Sequence, residues 1–295
     1  VSIGFPLFKQ LLRFTKKGQE KDQTMIQPNL KAFYDKQGYA IVASLFSPQE
    51  VGRFREHFMT LRAAGTYPGD FAGVDLTSED PLQRYPRMIH MHRWDALSLA
   101  WMLDQRIASH LALFLGVEPL AAQTMLYFKP PGARGQALHQ DQYYLQVQPG
   151  TCMAAWLALD DCDEENGCLQ VVPATHDLPL LCPEEADTTQ SFTEITVPVT
   201  PEMTLVPMRM KAGDVLFFNG QLIHGSYPNQ SQDRFRRSLI GHYIVGDAQK
   251  VARSYHPVLR MDGTTVLLDE SERGGPCGVW VDQDGASTVA MLERA

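Results

Sequence analysis

His139-Gln140-Asp141 places an imidazole and a carboxylate two residues apart. In a strand, residues i and i+2 share a face, so the two groups converge on one point. Together they make two-thirds of a facial triad of two histidines and one carboxylate. That donor set holds a non-haem Fe(II) and leaves three positions open. With nine histidines in the chain a chance His-x-Asp is common, and the bland alternative is a surface ion pair on a strand. The third ligand must come from a distant strand, and His224, within Gln221-Leu-Ile-His-Gly-Ser226, offers itself. It follows Gly213-Asp214-Val-Leu-Phe-Phe-Asn219, an apolar strand entered by a turn. Arg236 opens the last strand, and a guanidinium there can grip a carboxylate with two parallel hydrogen bonds, which a lysine cannot. Ser226 shares the face of His224 and can donate to that carboxylate. A metal with open positions and an arginine for a diacid describe the chemistry of a 2-oxoglutarate-dependent oxygenase.

These residues need a scaffold that brings distant strands together. From Thr124 onward the chain reads as short β-rich runs: Met125–Phe128, Leu138–Val147, Cys152–Leu159, Leu169–Val172, Thr204–Met208, Val215–Asn219, Leu222–Ser226 and Arg237–Val245. Turn signals such as Pro130-Pro131-Gly132, Pro149-Gly150 and Ala212-Gly213-Asp214 separate them. About eight short strands without intervening helices suggest a sandwich or barrel, and a jelly roll has eight. The preceding portion reads as helices with short strands: a helix around Leu30–Lys36, a strand Tyr39–Val42, a helix capped by Ser47-Pro48-Gln49-Glu50, and a helical stretch from about Leu97 to Leu115, ended by Gly116. A single domain is expected. It comprises a helical portion 1–123, a β core 124–245 interrupted by an acidic, Thr/Pro-rich insertion at 174–203 that reads as a lid, and a tail 246–295 with a hairpin around Gly278–Val281.

Composition bounds the function. The chain of 295 residues is 44% hydrophobic and 20% charged, as an ordinary globular protein is. Its net charge of −8 argues against a general nucleic-acid binder. No apolar run approaches the roughly 20 residues of a membrane-spanning helix. Phe5, Phe8, Leu11 and Leu12 among Lys9, Arg13, Lys16, Lys17 and Lys21 read as a basic amphipathic helix packed on the body, with a membrane-surface or partner helix as the alternative. The cysteines (Cys152, Cys162, Cys168, Cys182 and Cys277) are odd in number and fit no zinc pattern; five reduced thiols in a cytoplasmic protein are the expectation.

Over essentially Lys31 to Ile244 the sequence resembles the phytanoyl-CoA dioxygenase family of Fe(II)/2-oxoglutarate oxygenases. The resemblance is carried by Phe33-Tyr-Asp-Lys-Gln-Gly-Tyr-Ala-Ile-Val42, Met125-Leu-Tyr-Phe-Lys-Pro-Pro131, Leu138-His-Gln-Asp141, Ala155-Trp156, Asn166-Gly-Cys-Leu169 with Pro173-Ala-Thr-His176, Gly213-Asp214, and His224-Gly-Ser226 with Asn229. It implies a double-stranded β-helix (cupin-like) fold and His139, Asp141 and His224 as the iron ligands and catalytic centre. It further implies Arg236 and Ser226 on the far carboxylate of 2-oxoglutarate, Met125 and Trp156 lining that pocket, O2 as oxidant and a small-molecule substrate. Related halogenases carry a small residue where Asp141 stands, so hydroxylation is favoured, with desaturation or epoxidation as alternatives. Family members usually place the arginine one residue earlier, where this chain has Phe235. A one-residue insertion in the Gln230–Asp233 turn restores the match at Arg236, and Arg234 competes with it. A second departure is Ala174, where glycine is common.

Other residues admit structural roles as well as functional ones. His90 and His92 share a face if Arg87–Trp94 is a strand, and one of them is a candidate for the pocket wall. His176 reads as structural. Tyr143 shares the face of His139 and Asp141 and is a candidate substrate contact; Tyr127 and Lys129 share that of Met125. Asp160-Asp161-Cys162-Asp163-Glu164 reads as a solvated turn. A non-catalytic β-sandwich binding protein is the alternative from another class, and a metal hydrolase on a similar barrel, which would not require Arg236, is a third.

Overall fold

The computed structural model describes residues 28–65, 67–68, 73–272 and 276–292. The basic amphipathic segment expected over residues 5–21 lies outside them. Local signals set the N-terminal elements. Helix α1 (Pro28–Gln37) stops at Gly38, whose φ of +80° suits glycine, and strand β1 (Tyr39–Val42) follows. Helix α2 (Pro48–Ala63) opens on a capping box: Glu50 N–H donates to Ser47 Oγ, and Ser47 N–H donates back to the Glu50 carboxylate. Helix α3 (Pro81–Arg84) and strand β2 (Met88–Ile89) come next. The single helix expected over 97–115 is two, α4 (Ala96–Met102) and α5 (Gln105–Leu115). Asp104 accepts the N–H of Arg106 at 2.8 Å and so starts a new helix.

The β core runs β3 (Leu120–Tyr127), β4 (Gln136–His139), helix α6 (Gln142–Leu145), β5 (Cys152–Ala158), β6 (Leu169–Val171), β7 (Glu184–Glu185), β8 (Ile195–Thr196), β9 (Val206–Pro207), β10 (Val215–Asn219), β11 (His224–Ser226) and β12 (Ser238–Ile244). The large sheet has the order β1-β10-β5-β12-β3, with β2 also on β3; the small one is β4-β11-β6-β9. Both are antiparallel and neither closes. Period-two alternation assigns each side chain to a layer. Trp156, Leu216, Phe218 and Ile240 meet Leu169 and Val171 between the sheets. Their neighbours Ala155, Leu157, Phe217 and Leu239 face Phe54, Phe58 and Ile107 of the helices. Burial on both faces is why β5 and β10 read as continuous apolar runs. Each buried Leu, Ile, Val or Phe among them contributes about 1.5–3 kcal/mol. The result is the jelly roll expected from the strand count.

Two expected elements differ. The run 138–147 is not one strand: β4 ends at His139, and Asp141 starts α6, its carbonyl accepting the N–H groups of Tyr144 and Leu145. The side chain of Gln140, bonded to Gln221 O and Leu181 N, holds the chain at that turn. The tail is also more ordered than expected. It supplies β13 (Lys250–Val251), β14 (Val258–Arg260), β15 (Thr265–Val266) and β16 (Asp269–Glu270), of which β14 and β15 extend the large sheet beyond β3. The hairpin β17 (Cys277–Gln283) and β18 (Ala286–Leu292) turns at Asp284-Gly285, both at positive φ, as a two-residue hairpin loop requires.

Insertion 174–203 braces the outer face of the small sheet. Val197 N–H donates to Leu138 O, and Ala137 N–H to Ser191 Oγ. Leu181 and Val197 pack with Val172 and Ile223, and Trp280 and Val289 of the hairpin join them. Cys182 and Cys277 form a disulfide that ties insertion to hairpin. This corrects the expectation of five free thiols; Cys152, Cys162 and Cys168 remain free and buried. Ninety-five residues separate the pair, and connectivity over such a span is not readable from spacing. With a disulfide present, the cysteines no longer point to a cytoplasmic location. Among the described residues no helix is long and apolar enough to cross a membrane.

Candidate active site

Strands β4 and β11 are antiparallel neighbours in which His139 pairs directly with His224. That register brings together two histidines from distant parts of the chain, with ring centroids 4.2 Å apart. Each ring is oriented from behind: His139 Nδ1 bonds Ala137 O at 2.9 Å and His224 Nδ1 bonds Leu222 O at 3.0 Å. A carbonyl only accepts, so both Nδ1 atoms carry the proton and both Nε2 atoms offer lone pairs to the space between them. Asp141, swung in by the turn into α6, places Oδ1 3.5 Å from His139 Nε2 and 3.7 Å from His224 Nε2. One ligand atom from each residue lies within 4.8 Å of the other two, and all three residues are buried. Burial pushes the His224 imidazole down to about 4, with His139 adding to the effect, so it is neutral and available as a ligand. Burial alone would raise the Asp141 carboxyl, but His224, His242 and His139 hold it well below the ordinary carboxylate range. The neutral His224 imidazole, the Nε2 of His139 and an ionised carboxylate, converging on one point, fit a ferrous ion.

A cavity of about 250 Å³ lies between the sheets, and all three residues line it. Arg236, Ser226, Met125 and Trp156 line it too. Arg236 is 3% exposed. Its Nε donates to Gly167 O at 3.0 Å, its Nη1 to Ser238 Oγ at 2.8 Å, and its guanidinium lies 5.4 Å from the Trp156 ring centroid. Arg234 is brought to the surface instead, where Asp163 (2.8 Å) and Glu165 (3.1 Å) pair with it. Asn229 makes this division: its amide donates to Lys129 O and Arg234 O, closing the turn before Arg236. Arg237 points away, onto Asp160 at 2.7 Å. The acidic run 160–164 is therefore more than a solvated turn; Asp160, Asp161, Asp163 and Glu164 all pair with basic side chains.

Several candidates move. Tyr144, and not Tyr143, lines the cavity, because Asp141 leaves the strand and helical spacing replaces alternation. Strand β2 ends before His90, whose φ is +56°. His92 hydrogen-bonds Thr124 Oγ1 at 3.0 Å, and His90 meets Gln123 at 3.3 Å. Burial pushes His90 down to about 3 and His92 to about 4. Gln123 and Tyr255, against which His90 packs, line the cavity in its place. His176 bonds Asp35 O at 3.1 Å in a structural role. Thr193 is the cavity-lining residue of the insertion. The residue missed is His242, buried on β12, which lines the cavity and donates from Nε2 to Asp141 Oδ2 at 3.2 Å. The signal was present: it lies six residues past Arg236, on the same face by alternation.

His139, Asp141 and His224 would hold an iron ion and leave room on it for a co-substrate, and the class so defined is that of non-haem Fe(II)/2-oxoglutarate oxygenases. The profile of the family described as Phytanoyl-CoA dioxygenase (PhyH) matches residues 34–238, and the chain belongs to that family. It is an Fe(II)/2-oxoglutarate-dependent dioxygenase that uses O2 and acts on a small molecule. Among relatives, the rat "Phytanoyl-CoA dioxygenase, peroxisomal" is 27% identical over 245 residues, covering 78% of this chain and 72% of that one. The "Phytanoyl-CoA dioxygenase" of Arabidopsis thaliana is 32% identical over 167 residues, 55% and 58% of the two chains. The fold is also similar to that of EctD from S. alaskensis with bound Fe: TM-score 0.60, 22% identity, covering 75% of this chain and 77% of that one. The epimerase SnoN in complex with Fe3+, alpha ketoglutarate and nogalamycin RO has a TM-score of 0.57 at 24% identity, covering 75% and 84%. Both likenesses agree with the double-stranded β-helix fold.

Proposed function

We propose that the chain couples oxidative decarboxylation of 2-oxoglutarate to succinate with hydroxylation of an unactivated C–H bond in a natural product, amino acid or acyl compound. His139, Asp141 and His224 hold the iron in this reading, and Arg236 with Ser226 takes the far carboxylate of the co-substrate. The convergence of two Nε2 lone pairs and one carboxylate on the wall of a cavity that also holds a buried arginine carries the proposal. Fe(II), when bound with the keto acid, supplies the reductive activation of O2 that the side chains cannot perform. The side chains orient and exclude. Arg236 fixes one end of the co-substrate, so that its keto-acid end reaches the metal. Trp156, Ile240 and Phe218 close that end against water. The substrate enters from the side where Arg87 and Tyr144 are exposed, past Tyr127. Asp141 would supply the carboxylate ligand where related halogenases carry a small residue, which favours hydroxylation.

The test is spectroscopic. Fe(II) and 2-oxoglutarate added without oxygen are expected to give a weak visible charge-transfer band, absent in Asp141→Ala. Iron-loaded wild-type protein showing no band would overturn the assignment. With oxygen and a substrate panel, succinate should form together with a product heavier by one oxygen atom; a product lighter by two hydrogens would reassign the outcome to desaturation.

A further inference from the structure

We propose that Lys129 is a positioning residue for the far carboxylate of 2-oxoglutarate: it fixes the Ser226 hydroxyl as a donor and sets a second buried cation beside Arg236. The inference rests on the reading that Arg236 and Ser226 receive that carboxylate.

Lys129 lies just past the end of β3 and is 2% exposed. Its Nζ donates to Ser226 Oγ at 2.8 Å and to Tyr227 O at 2.5 Å. The fold makes room for it: a Cβ on Gly167 would lie 2.7 Å from Lys129 Cδ, and the carbonyl of Gly167 is the one that accepts from Arg236 Nε. The two basic residues are also tied through the backbone, with Arg236 N–H donating to Lys129 O at 3.1 Å. All the hydrogen-bond partners of the two side chains among the described residues are neutral: Ser226, Tyr227 O, Gly167 O and Ser238. Burying an ammonium without a counter-charge is costly, and a like charge beside it adds to the cost. Burial and Arg236 accordingly press the Lys129 pKa well below its ordinary value. A carboxylate arriving in the cavity reverses both effects.

Ser226 shows where it arrives. Its Oγ accepts from Lys129 Nζ at 2.8 Å and from Gln136 N–H at 3.1 Å, so both lone pairs are in use. The hydroxyl proton must then point away from both donors. Ser226 lines the cavity, and an acceptor there completes its bonding. Lys129 does not line the cavity and acts through Ser226, so it is not itself a catalytic residue.

The experiment is calorimetric titration of the full chain loaded with redox-silent Mn(II), using two ligands: 2-oxoglutarate, and 2-oxopentanoate, which has the same carbon count but no far carboxylate. Lys129→Met is expected to weaken 2-oxoglutarate on the order of 10-fold or more, the scale of a charge-assisted hydrogen bond. Affinity for 2-oxopentanoate and for Mn(II) should stay within about 2-fold of wild type, since neither depends on the far carboxylate. Lys129→Gln removes the charge while retaining a donor, and carries the same test if the methionine variant does not fold. Unchanged 2-oxoglutarate affinity, or equal weakening of both keto acids and the metal, would overturn the proposal; the second result would mean a merely structural lysine. A wild-type chain that binds Mn(II) but not 2-oxoglutarate would overturn the reading of the site beneath it, before any substitution is made.

Discussion

His242 donates from Nε2 to Asp141 Oδ2 at 3.2 Å, while the other carboxylate oxygen faces His139 and His224. The carboxylate is thus oriented from the large sheet although the two histidines stand on the small one. Partners of this kind fix a ligand's rotamer, and their loss typically costs 10–100-fold in metal affinity. His242→Phe should weaken Mn(II) or Fe(II) binding by about that factor, read by metal titration without oxygen. A change under about 2-fold would show that Asp141 needs no such support.

Arg236 and Arg234 lie two residues apart with opposite surroundings, one against Trp156 in the cavity and one paired with Asp163 and Glu165 outside. Arg236→Lys keeps the charge but loses the planar fork. It is expected to raise the KM for 2-oxoglutarate by roughly 10-fold or more, because charge-assisted bonds are the strong ones. Arg234→Ala should leave that KM near wild type, since exposed ion pairs contribute little. Succinate production against 2-oxoglutarate concentration distinguishes the two, and the reverse ranking would move the co-substrate to the surface arginine.

Much of this was legible in the residues, and the parts that were not share a cause. Spacing together with the family resemblance singled out His139, Asp141, His224 and Arg236, and the caps at Ser47 and Gly116 were read from local residues. Alternation sets Arg237, paired with Asp160, on the face opposite Arg236. It failed for Tyr143 because Asp141 terminates β4, a turn held by Gln140 through contacts with Gln221 and Leu181. His242 was overlooked for the opposite reason: its strand obeys the period, but the carboxylate it meets comes from another sheet. The disulfide and the packing of the insertion on the back of the small sheet are likewise tertiary events with no local signature.

The disulfide predicts a thiol count. Denatured without reductant, the chain should expose the thiols of Cys152, Cys162 and Cys168, and with reductant those of Cys182 and Cys277 as well. Cys277→Ser should lower unfolding stability by about 2–4 kcal/mol, the usual contribution of a long-range bridge. Metal affinity should hold, because the bridge ties together elements behind the small sheet. Five thiols without reductant would exclude the pairing.

Glu50 gives stability a pH dependence. Burial would raise its carboxyl, but hydrogen bonds from Arg106 (2.8 Å) and Ser47 (2.8 Å) outweigh it and hold the pKa below the ordinary value. A pKa lowered by folding means stability that is present above the unfolded value and is lost as pH falls through the folded one. Glu50→Gln should therefore cost about 1 kcal/mol at pH 7, on the scale of a helix cap. The difference from wild type should be smaller at pH 3 than at pH 7, as protonation of Glu50 sets in. Thermal unfolding at the two pH values checks this; a gap that widened in acid would reverse the sign.

The direct pairing of His139 with His224 makes the metal centre a matter of parity. One residue added inside β4 or β11 would turn one imidazole to the braced outer face and dismantle the donor set, whatever the residue's chemistry. The connection from β6 to β9, which contains the insertion, lies outside that pair and can change in length without altering it. Loop length can therefore vary without breaking the pair, while an odd-numbered change within two short strands is forbidden to it.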